Sequence, residues 1–409
     1  MPTASLPPDS RRLRIGILSA NPRSYSIRRL VEAGRARGHR MHVLEPTEFS
    51  ILVEAERPML YYRDHEVKQL DAVIPRIGAS ITFFGTAVVR QFEQMGVFCL
   101  NSAEAIARSR DKLRSIQSLS RHHVGLPKTA FVKSREVLPA AIDHVGGAPL
   151  IIKLLEGTQG IGVILAEHAK TAEAIVETLH AGKQNVLLQA FIQESRGKDI
   201  RAFVVGGRVV AAMRRIAQGD EFRSNVHRGG RAEPVDLDPE YERAAVRAAQ
   251  VMGLRVAGVD MLESNEGCKV MEVNSSPGLE GIEGATGVDV AGRIIDYVEK
   301  EILFPEVDVR QRLALSAGHA VMDVPVEAGS PLADRSLQEL ALRERDIVVL
   351  TITRDNEVIS VPRGSHVLRV GDNILCYGNT EELKQLVPPR KRRKSKSAVP
   401  PPATPRDRT

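Results

Sequence analysis

The 409-residue chain holds only three cysteines, Cys99, Cys268 and Cys376, far apart and odd in number. This excludes a disulfide framework and a CxxC metal site, and predicts reduced, mostly buried thiols. No apolar run reaches membrane length, and the opening MPTASLPPDSRRLR lacks the apolar centre of a signal peptide. The expectation is a cytoplasmic protein with no membrane partner. No Gly-Lys-Ser/Thr follows its glycine-rich turn, which excludes a Walker loop. No Ser/His/Asp or Cys/His arrangement is recognisable, so no nucleophilic side chain stands out. Net charge is almost missing from the body of the chain. Of the formal +6, the last 22 residues, Pro388 to Thr409, contribute eight Lys or Arg against one Asp, leaving 49 basic and 50 acidic side chains elsewhere. That Pro- and Ser-rich tail cannot build a core and should be disordered. Contact with RNA or an acidic partner and simple solvation suit it equally well.

What is present is an oxygen-donor cluster. In VAGVDMLESNEGCKVMEVNSSPG, Val256 to Gly278, two apolar strand-like runs carry Asp260, Glu272 and Asn274. Glu272 and Asn274 are two apart, so in a strand they leave the same face. A three-residue hairpin loop at Asn265, Glu266 and Gly267, with Gly267 left-handed, would set Asp260 opposite Glu272, whereas a two-residue turn would spoil the match. Two carboxylates and an amide oxygen suit a hard cation such as Mg2+, which completes its shell with water and phosphate oxygens. Buried among valines, such carboxylates would be uncompensated without a cation. The plain alternative is polar residues on the wet face of a sheet.

Along the chain, strand-like and helical stretches alternate from LRIGILSA to about Asn101, which predicts an open α/β sheet. Helical patterns follow around Ala103 to His122, Thr171 to Ala181, Asp238 to Met252 and Val288 to Ile302. DIRAFVVGGRVVAAMRR reads as a hairpin turning at Gly206 and Gly207, which makes this middle part α+β. After a charged connector, a compact pattern begins near Leu315. VMDVPVEAGSPLADRSLQEL reads as strand, turn and amphipathic helix, DIVVLTITRDNEVISVP as two strands joined at Asp355 and Asn356, and NILCYG as another strand. The boundaries are residues 1–12 flexible, 13–101 and 102–302 as the first two domains, 303–314 linker, 315–387 a small third domain and 388–409 tail.

Gly157, Gly160 and Gly162 form a turn whose amides can approach phosphate, although hairpin glycines usually only turn the chain. Lys153, on the strand entering that turn, and Lys112, at a helix start in SRDKLRS, can each meet a phosphate as a point charge, or can simply be solvated lysines. FRSNVHRGG, Phe222 to Gly230, gathers Arg223, Ser224, Asn225, His227 and Arg228, a set of forks and amides suited to phosphoryl oxygens or a carboxylate. A solvated loop would look similarly polar, and His227 fits packing better than a base.

ARSRDKLRS, PLIIKLLEGTQGIGV, QAFIQESRGKDIR, FRSNVHRGG, AGVDMLES and VMEVNSSPGLEGIE, in this order, resemble the motifs of the RimK group of ATP-grasp ligases. RIGILSANPRSYSIRRL and AVIPRIGASITFFGTAVVRQFE resemble its pre-grasp domain, so the likeness runs from about residue 13 to 302. It implies an ATP-grasp fold behind an open pre-ATP-grasp sheet. ATP would lie with Lys112 and Lys153 on its phosphates, Ala190 and Phe191 at the adenine, Asp199 at the ribose, and Arg223, Ser224 and Asn225 near the phosphates. Glu is common at the position of Ala190, which leaves backbone readout there. Asp260, Glu272 and Asn274 would be the metal ligands for two Mg2+ ions, with Mn2+ able to substitute. The implied reaction turns a carboxylate into an acyl phosphate that the α-amine of L-glutamate attacks. Arg228 is then the candidate catalytic residue, and Arg76, in PRIG, a residue for an acidic substrate.

GSPLADRSLQELALRERDIVVLTITRDNEVISVPRGSHVLRVGDNILCYGNTEEL resembles the C-terminal ligand-binding domain of TrkA-type potassium-transport regulators. This implies a small α+β TrkA-C-like module that forms a homo-oligomer or binds a cyclic dinucleotide or other small ligand, or else a passive assembly module. Three readings of function follow. The first is a ligase that adds glutamate to a protein C-terminus, that of a small-subunit ribosomal protein foremost. The second keeps the chemistry with a small-molecule or carrier-protein carboxylate. The third is a nucleotide-sensing regulatory protein, against which both lysines and the complete metal trio speak.

Overall fold

The computed structural model describes residues 12–155, 162–219, 221–222, 230–302, 318–355 and 357–386. The chain divides at Pro305 into two compact units. The first begins with β1 (Arg14–Leu18), α1 (Tyr25–Ala36), β2 (Arg40–Leu44), β3 (Phe49–Leu52), β4 (Met59–Tyr62), β5 (His65–Glu66), β6 (Ala72–Pro75), α2 (Thr82–Gln94) and β7 (Phe98–Cys99). Strands β2-β1-β6-β7 form a parallel sheet. Its apolar strands serve both faces: Ile15, Ile17 and Ile74 join one buried cluster, Leu18 and Val73 the other. From β1 the chain steps to β2 on one side and returns to β6 on the other. The carboxyl ends of β1 and β6 therefore open a crevice at the point where strand order reverses. The antiparallel sheet β3-β4-β5 is an addition that the strand-helix alternation did not announce.

Next come α3 (Ala103–Arg110), α4 (Lys112–Leu119), β8 (Thr129–Phe131), α5 (Leu138–His144), β9 (Leu150–Leu154), β10 (Val163–Ala166), α6 (Ala169–Ala181) and β11 (Val186–Ala190). The helical pattern expected from Ala103 to His122 is thus two helices. Asp111 ends one and caps the other, its Oδ1 accepting the Arg114 amide at 2.9 Å. Strands β10-β9-β11-β8 make an antiparallel sheet that packs with α5 and α6.

The remaining elements of this unit are β12 (Lys198–Val205), β13 (Arg208–Ile216), β14 (Arg231–Pro234), α7 (Pro239–Met252), β15 (Val256–Ser264), β16 (Gly267–Asn274), α8 (Glu280–Thr286) and α9 (Val290–Ile302). Gly206 and Gly207, both at positive φ, turn β12 into β13. The five-stranded antiparallel sheet runs β14-β13-β12-β15-β16. One face is apolar: Ile200, Ala202, Ala257, Val259 and Val270 pack with Ala245, Ala248 and Met252 of α7. The other face is divided. Phe203, Val205 and Val256 join the core shared with α9 and the first sheet, while Asp199, Arg201, Arg215 and Asp260 occupy its far end.

The second unit holds β17 (His319–Pro325), β18 (Ile347–Arg354), β19 (Glu357–Ser360), β20 (Asn373–Asn379) and α10 (Thr380–Leu386), with antiparallel sheet order β17-β20-β18-β19. Val324, Ile352, Ile374, Cys376 and Leu383 centre its core. The amphipathic helix expected around SPLADRSLQEL does not form. The Leu337 and Gln338 amides bond the carbonyls of His366 and Gly364, drawing the segment into turns that end in a short 3-10 helix, Leu342–Arg345. All three cysteines are free and buried. The basic tail lies outside the described residues. Among the described residues no helix is long and apolar enough to cross a membrane.

Candidate nucleotide and metal site

Asp260 stands opposite Glu272, and Gly258 opposite Asn274, so the three oxygen donors share one face of β15 and β16. The means differ from the expected three-residue loop. Ser264 pairs with Gly267, leaving a two-residue turn, and the register then shifts between Asp260 and Met261. The unpaired extra residue is Met271, a β-bulge. Val270 and Val273 are three apart yet both buried against the α7 side. A regular strand cannot bury both on one face, so the bulge sits between them and turns Glu272 and Asn274 to the other face. That spacing was the signal in the sequence.

The premise that Asp260 needs a cation for compensation is also corrected. Arg201 grips it bidentately, Nε to Oδ1 at 2.6 Å and Nη2 to Oδ2 at 2.7 Å. Arg215 reaches the same Oδ2 at 2.9 Å and also takes both oxygens of Asp199. Asp199, Arg215 and Asp260 are 2%, 7% and 3% exposed, so this is a buried alternating network. Burial by itself would raise the Asp260 carboxyl, but the two guanidiniums overcome it and hold Asp260 below the usual carboxylate range. Burial wins at Asp199, which is raised despite Arg215. Asp199, expected at the ribose, is therefore a member of this network, with both oxygens engaged by Arg215.

The two lysines come from the other sheet and its lead-in helix. Lys112 is the first residue of α4, and its Nζ donates to the Leu154 carbonyl at 2.7 Å. Lys153 lies on β9 between Val163 and Leu187, and its ammonium makes no hydrogen bond or ion pair among the described residues. Burial pushes its ammonium down to about 8; Glu272 and Asp260 oppose the drop, while Lys112 adds to it. Lys112 is likewise lowered by burial against the pull of Glu272. Both lysines thus face the carboxylate end of the five-stranded sheet.

Glu272 is exposed, and Asn274 keeps a buried amide nitrogen without a partner. No three His, Cys, Asp or Glu side chains converge among the described residues. A cation here would therefore take Asp260, Glu272, the Asn274 amide and phosphate oxygens, an all-oxygen set that fits Mg2+. Ala190 ends β11 with its amide bonded to the Lys128 carbonyl at 2.9 Å, and the Arg196 guanidinium lies 6.0 Å from the Phe191 ring centre. The turn residues Gly157 and Gly160, together with Arg223, Ser224, Asn225, His227 and Arg228, lie outside the described residues.

Besides Arg201 and Arg215, a third arginine of this region escaped the reading of the sequence. Arg110, two residues before Lys112, donates Nη2 to the Ile77 carbonyl at 2.6 Å, while Arg76 Nη2 donates to the Pro277 carbonyl at 2.7 Å. Burial lowers both guanidiniums, Arg76 to about 10, and Arg110 lowers Arg76 further by repulsion.

A lysine-bearing sheet opposed to a carboxylate-bearing sheet, behind an open parallel sheet, defines the ATP-grasp class. Residues 109–298 match the RimK-like ATP-grasp domain, 13–106 the RimK PreATP-grasp domain and 321–388 the TrkA-C domain. A probable alpha-L-glutamate ligase of Rhodopirellula baltica is 58% identical over 387 residues, which cover 95% of this chain and 96% of that protein. The chain belongs to this RimK-like ATP-grasp ligase family. Another relative, a probable alpha-L-glutamate ligase of Azotobacter vinelandii, is 58% identical over 70% of this chain and 96% of its own length. Among solved structures, a RimK domain ATP-grasp protein of Sphaerobacter thermophilus is 26% identical with TM-score 0.53, covering 70% of this chain and 99% of that one. The ATP-grasp ligase PsnB, complexed with a phosphomimetic variant of minimal precursor, Mg and ADP, shares the fold with TM-score 0.57 at 22% identity, over 71% of this chain and 99% of its own.

Proposed function

We propose that this ligase joins L-glutamate to the C-terminal carboxylate of a protein, a small-subunit ribosomal protein foremost, in the cytoplasm. The observation that carries the reading is the opposition of Lys112 and Lys153 to Asp260, Glu272 and Asn274. The printed names of the relatives support the choice of glutamate. An acceptor carboxylate oxygen attacks the γ-phosphorus of ATP, the bond to ADP breaks, and an acyl phosphate forms. The α-amine of glutamate then attacks the acyl carbon and phosphate leaves, with one proton released. Lys112 and Lys153 hold the phosphates as point charges from one sheet, while Ala190 and Phe191 receive the adenine. Two Mg2+ ions, or Mn2+, bound by Asp260, Glu272 and Asn274 would supply charge neutralisation for the transferred phosphoryl group. Arg201 and Arg215 hold Asp260 in place. Arg223, Ser224, Asn225 and Arg228 remain sequence-based expectations for the phosphates and the transfer.

The test is ADP release by the purified chain with ATP, Mg2+ and glutamate, offered ribosomal proteins and small carboxylates in turn. Mass spectrometry should find glutamate on the C-terminus of one ribosomal protein. Glutamate-dependent turnover with small carboxylates only would reject the protein acceptor. The second unit we read as a regulatory or assembly module. The Azotobacter match leaves only 4% of that relative's length outside it while sparing 30% of this chain, so the ligase portion exists without such a domain. Truncation after Phe304 should change oligomer size or the response to a cyclic dinucleotide, and identical behaviour would remove that role.

A further inference from the structure

We propose that Arg76 and Arg110 form the subsite that holds a carboxylate of the incoming glutamate, in the crevice where β1 and β6 meet the loop after β16. This rests on the glutamate-ligase reading above. Arg76 directly follows β6, at the carboxyl end of a strand beside the reversal of strand order, where open parallel sheets receive ligands. Its guanidinium is tied to the Pro277 carbonyl, and that of Arg110 to the carbonyl of Ile77, the next residue. Two cations are thereby set close enough to repel each other. Among the described residues neither has a carboxylate within ion-pair distance, whereas nearby Arg201 and Arg215 are bidentate to aspartates. Like charges partly withdrawn from water without a counter-ion are costly, so the pair is preset for an anion.

An independent observation agrees. Arg110 Nε and the hydroxyls of Ser275 and Ser276 are buried without a partner, and Ser275 is only 4% exposed. The two serines are unused hydrogen-bonding groups on the segment that Arg76 grips, and Arg110 Nε is one on the second guanidinium. The position also suits the chemistry. Pro277 packs on Gly258, where an added Cβ would fall 2.7 Å from the proline Cβ. Gly258 pairs with Asn274 and lies two residues before Asp260, and Arg110 feels the charge of Glu272. The ATP phosphates already have Lys112 and Lys153. What lacks a cationic partner is the amino acid, whose two carboxylates take no part in bond formation and must be fixed to aim the amine. Guanidinium forks match carboxylates in shape as well as charge.

The experiment uses the full chain and its Arg76→Lys, Arg76→Gln and Arg110→Lys variants. KM for glutamate and for ATP is measured from glutamate-dependent ADP release, and glutamate binding to nucleotide-free protein by calorimetry. The expected result is a KM for glutamate raised at least tenfold in each variant, with KM for ATP within twofold and melting temperatures preserved in the Lys variants, which keep a donor. Unchanged KM for glutamate, or a rise in KM for ATP instead, overturns the proposal. Failure of the functional reading looks different: the unaltered chain then shows no glutamate-dependent turnover with any acceptor. In that case calorimetry decides the subsite, since glutamate binding lost in Arg76→Gln sustains it and no binding to the unaltered chain overturns it.

Discussion

Replacing Lys153 by Met should stabilise the nucleotide-free protein at neutral pH while weakening its hold on ATP. The Lys153 ammonium sits where burial lowers it from 10.5 to about 8. At about 1.4 kcal/mol per tenfold change in proton affinity, that drop corresponds to at most about 3.5 kcal/mol of disfavoured charge. The pH window follows from the direction of the shift. Below pH 8 both folded and unfolded chains carry the proton, and the folded state bears the whole cost. Between pH 8 and 10.5 the unfolded chain keeps the proton and the folded chain releases it, so stability rises with pH. Methionine retains most of the apolar stem and carries no such charge. Urea unfolding of both proteins without nucleotide should therefore show Lys153→Met ahead by up to about 3.5 kcal/mol at pH 7, with the gap closing toward pH 10. ATP phosphates favour the ammonium, so ATP affinity of the unaltered chain should decline above pH 8, and the variant should bind ATP at least about tenfold more weakly at pH 7. A variant less stable at pH 7, or a gap indifferent to pH, would refute the assignment of Lys153 as a buried cation awaiting phosphate.

Three further outcomes are expected. Glu272→Gln alters an exposed side chain, so stability should stay within about 0.5 kcal/mol while ADP release falls at least about a hundredfold; undiminished turnover would remove Glu272 from the cation set. Arg215→Met strips Asp199 of both its bonds to the guanidinium and should cost about 3–5 kcal/mol in urea unfolding at pH 7, with the loss shrinking as acid protonates the raised Asp199 carboxyl. Adding Asp199→Asn should recover part of it, and a simple sum of the two single losses would deny their coupling. Gly125→Ala would drive a methyl group into the Cys268 carbonyl, beside the 2.7 Å bond from the Val270 amide to the Gly125 carbonyl. A loss of about 1–3 kcal/mol is expected in thermal unfolding, and a neutral result would mean that this edge of β16 is loosely held.

Much of the architecture was legible because its causes are local. Asp238 caps α7 through the Glu240 amide, and Gly253, at positive φ, ends it, so both limits stand in the sequence. Gly206 and Gly207 announce their hairpin in the same way. The expected amphipathic helix in the second unit failed for a non-local reason: the segment 364–366 offers its backbone to Leu337 and Gln338. In the site, residue types and the shared face of Asp260, Glu272 and Asn274 were legible, but the turn was misjudged because loop and bulge can restore the same register.

The sequence by itself determined which residue types are available to the site: two lysines and an oxygen trio on paired strands. Periodicity and capping act within a few residues, and a single chain displays them. Only the tertiary structure decided who meets whom. Arg215 and Asp199 are 16 residues apart, Arg201 and Asp260 59, and Arg76 and Pro277 201. Such pairings follow from strand order, from the bulge at Met271 and from the docking of the first sheet on the loop after β16. Whether a charge is neutralised within the chain, like that of Asp260, or has no carboxylate partner among the described residues, like that of Arg76, depends on those long-range contacts.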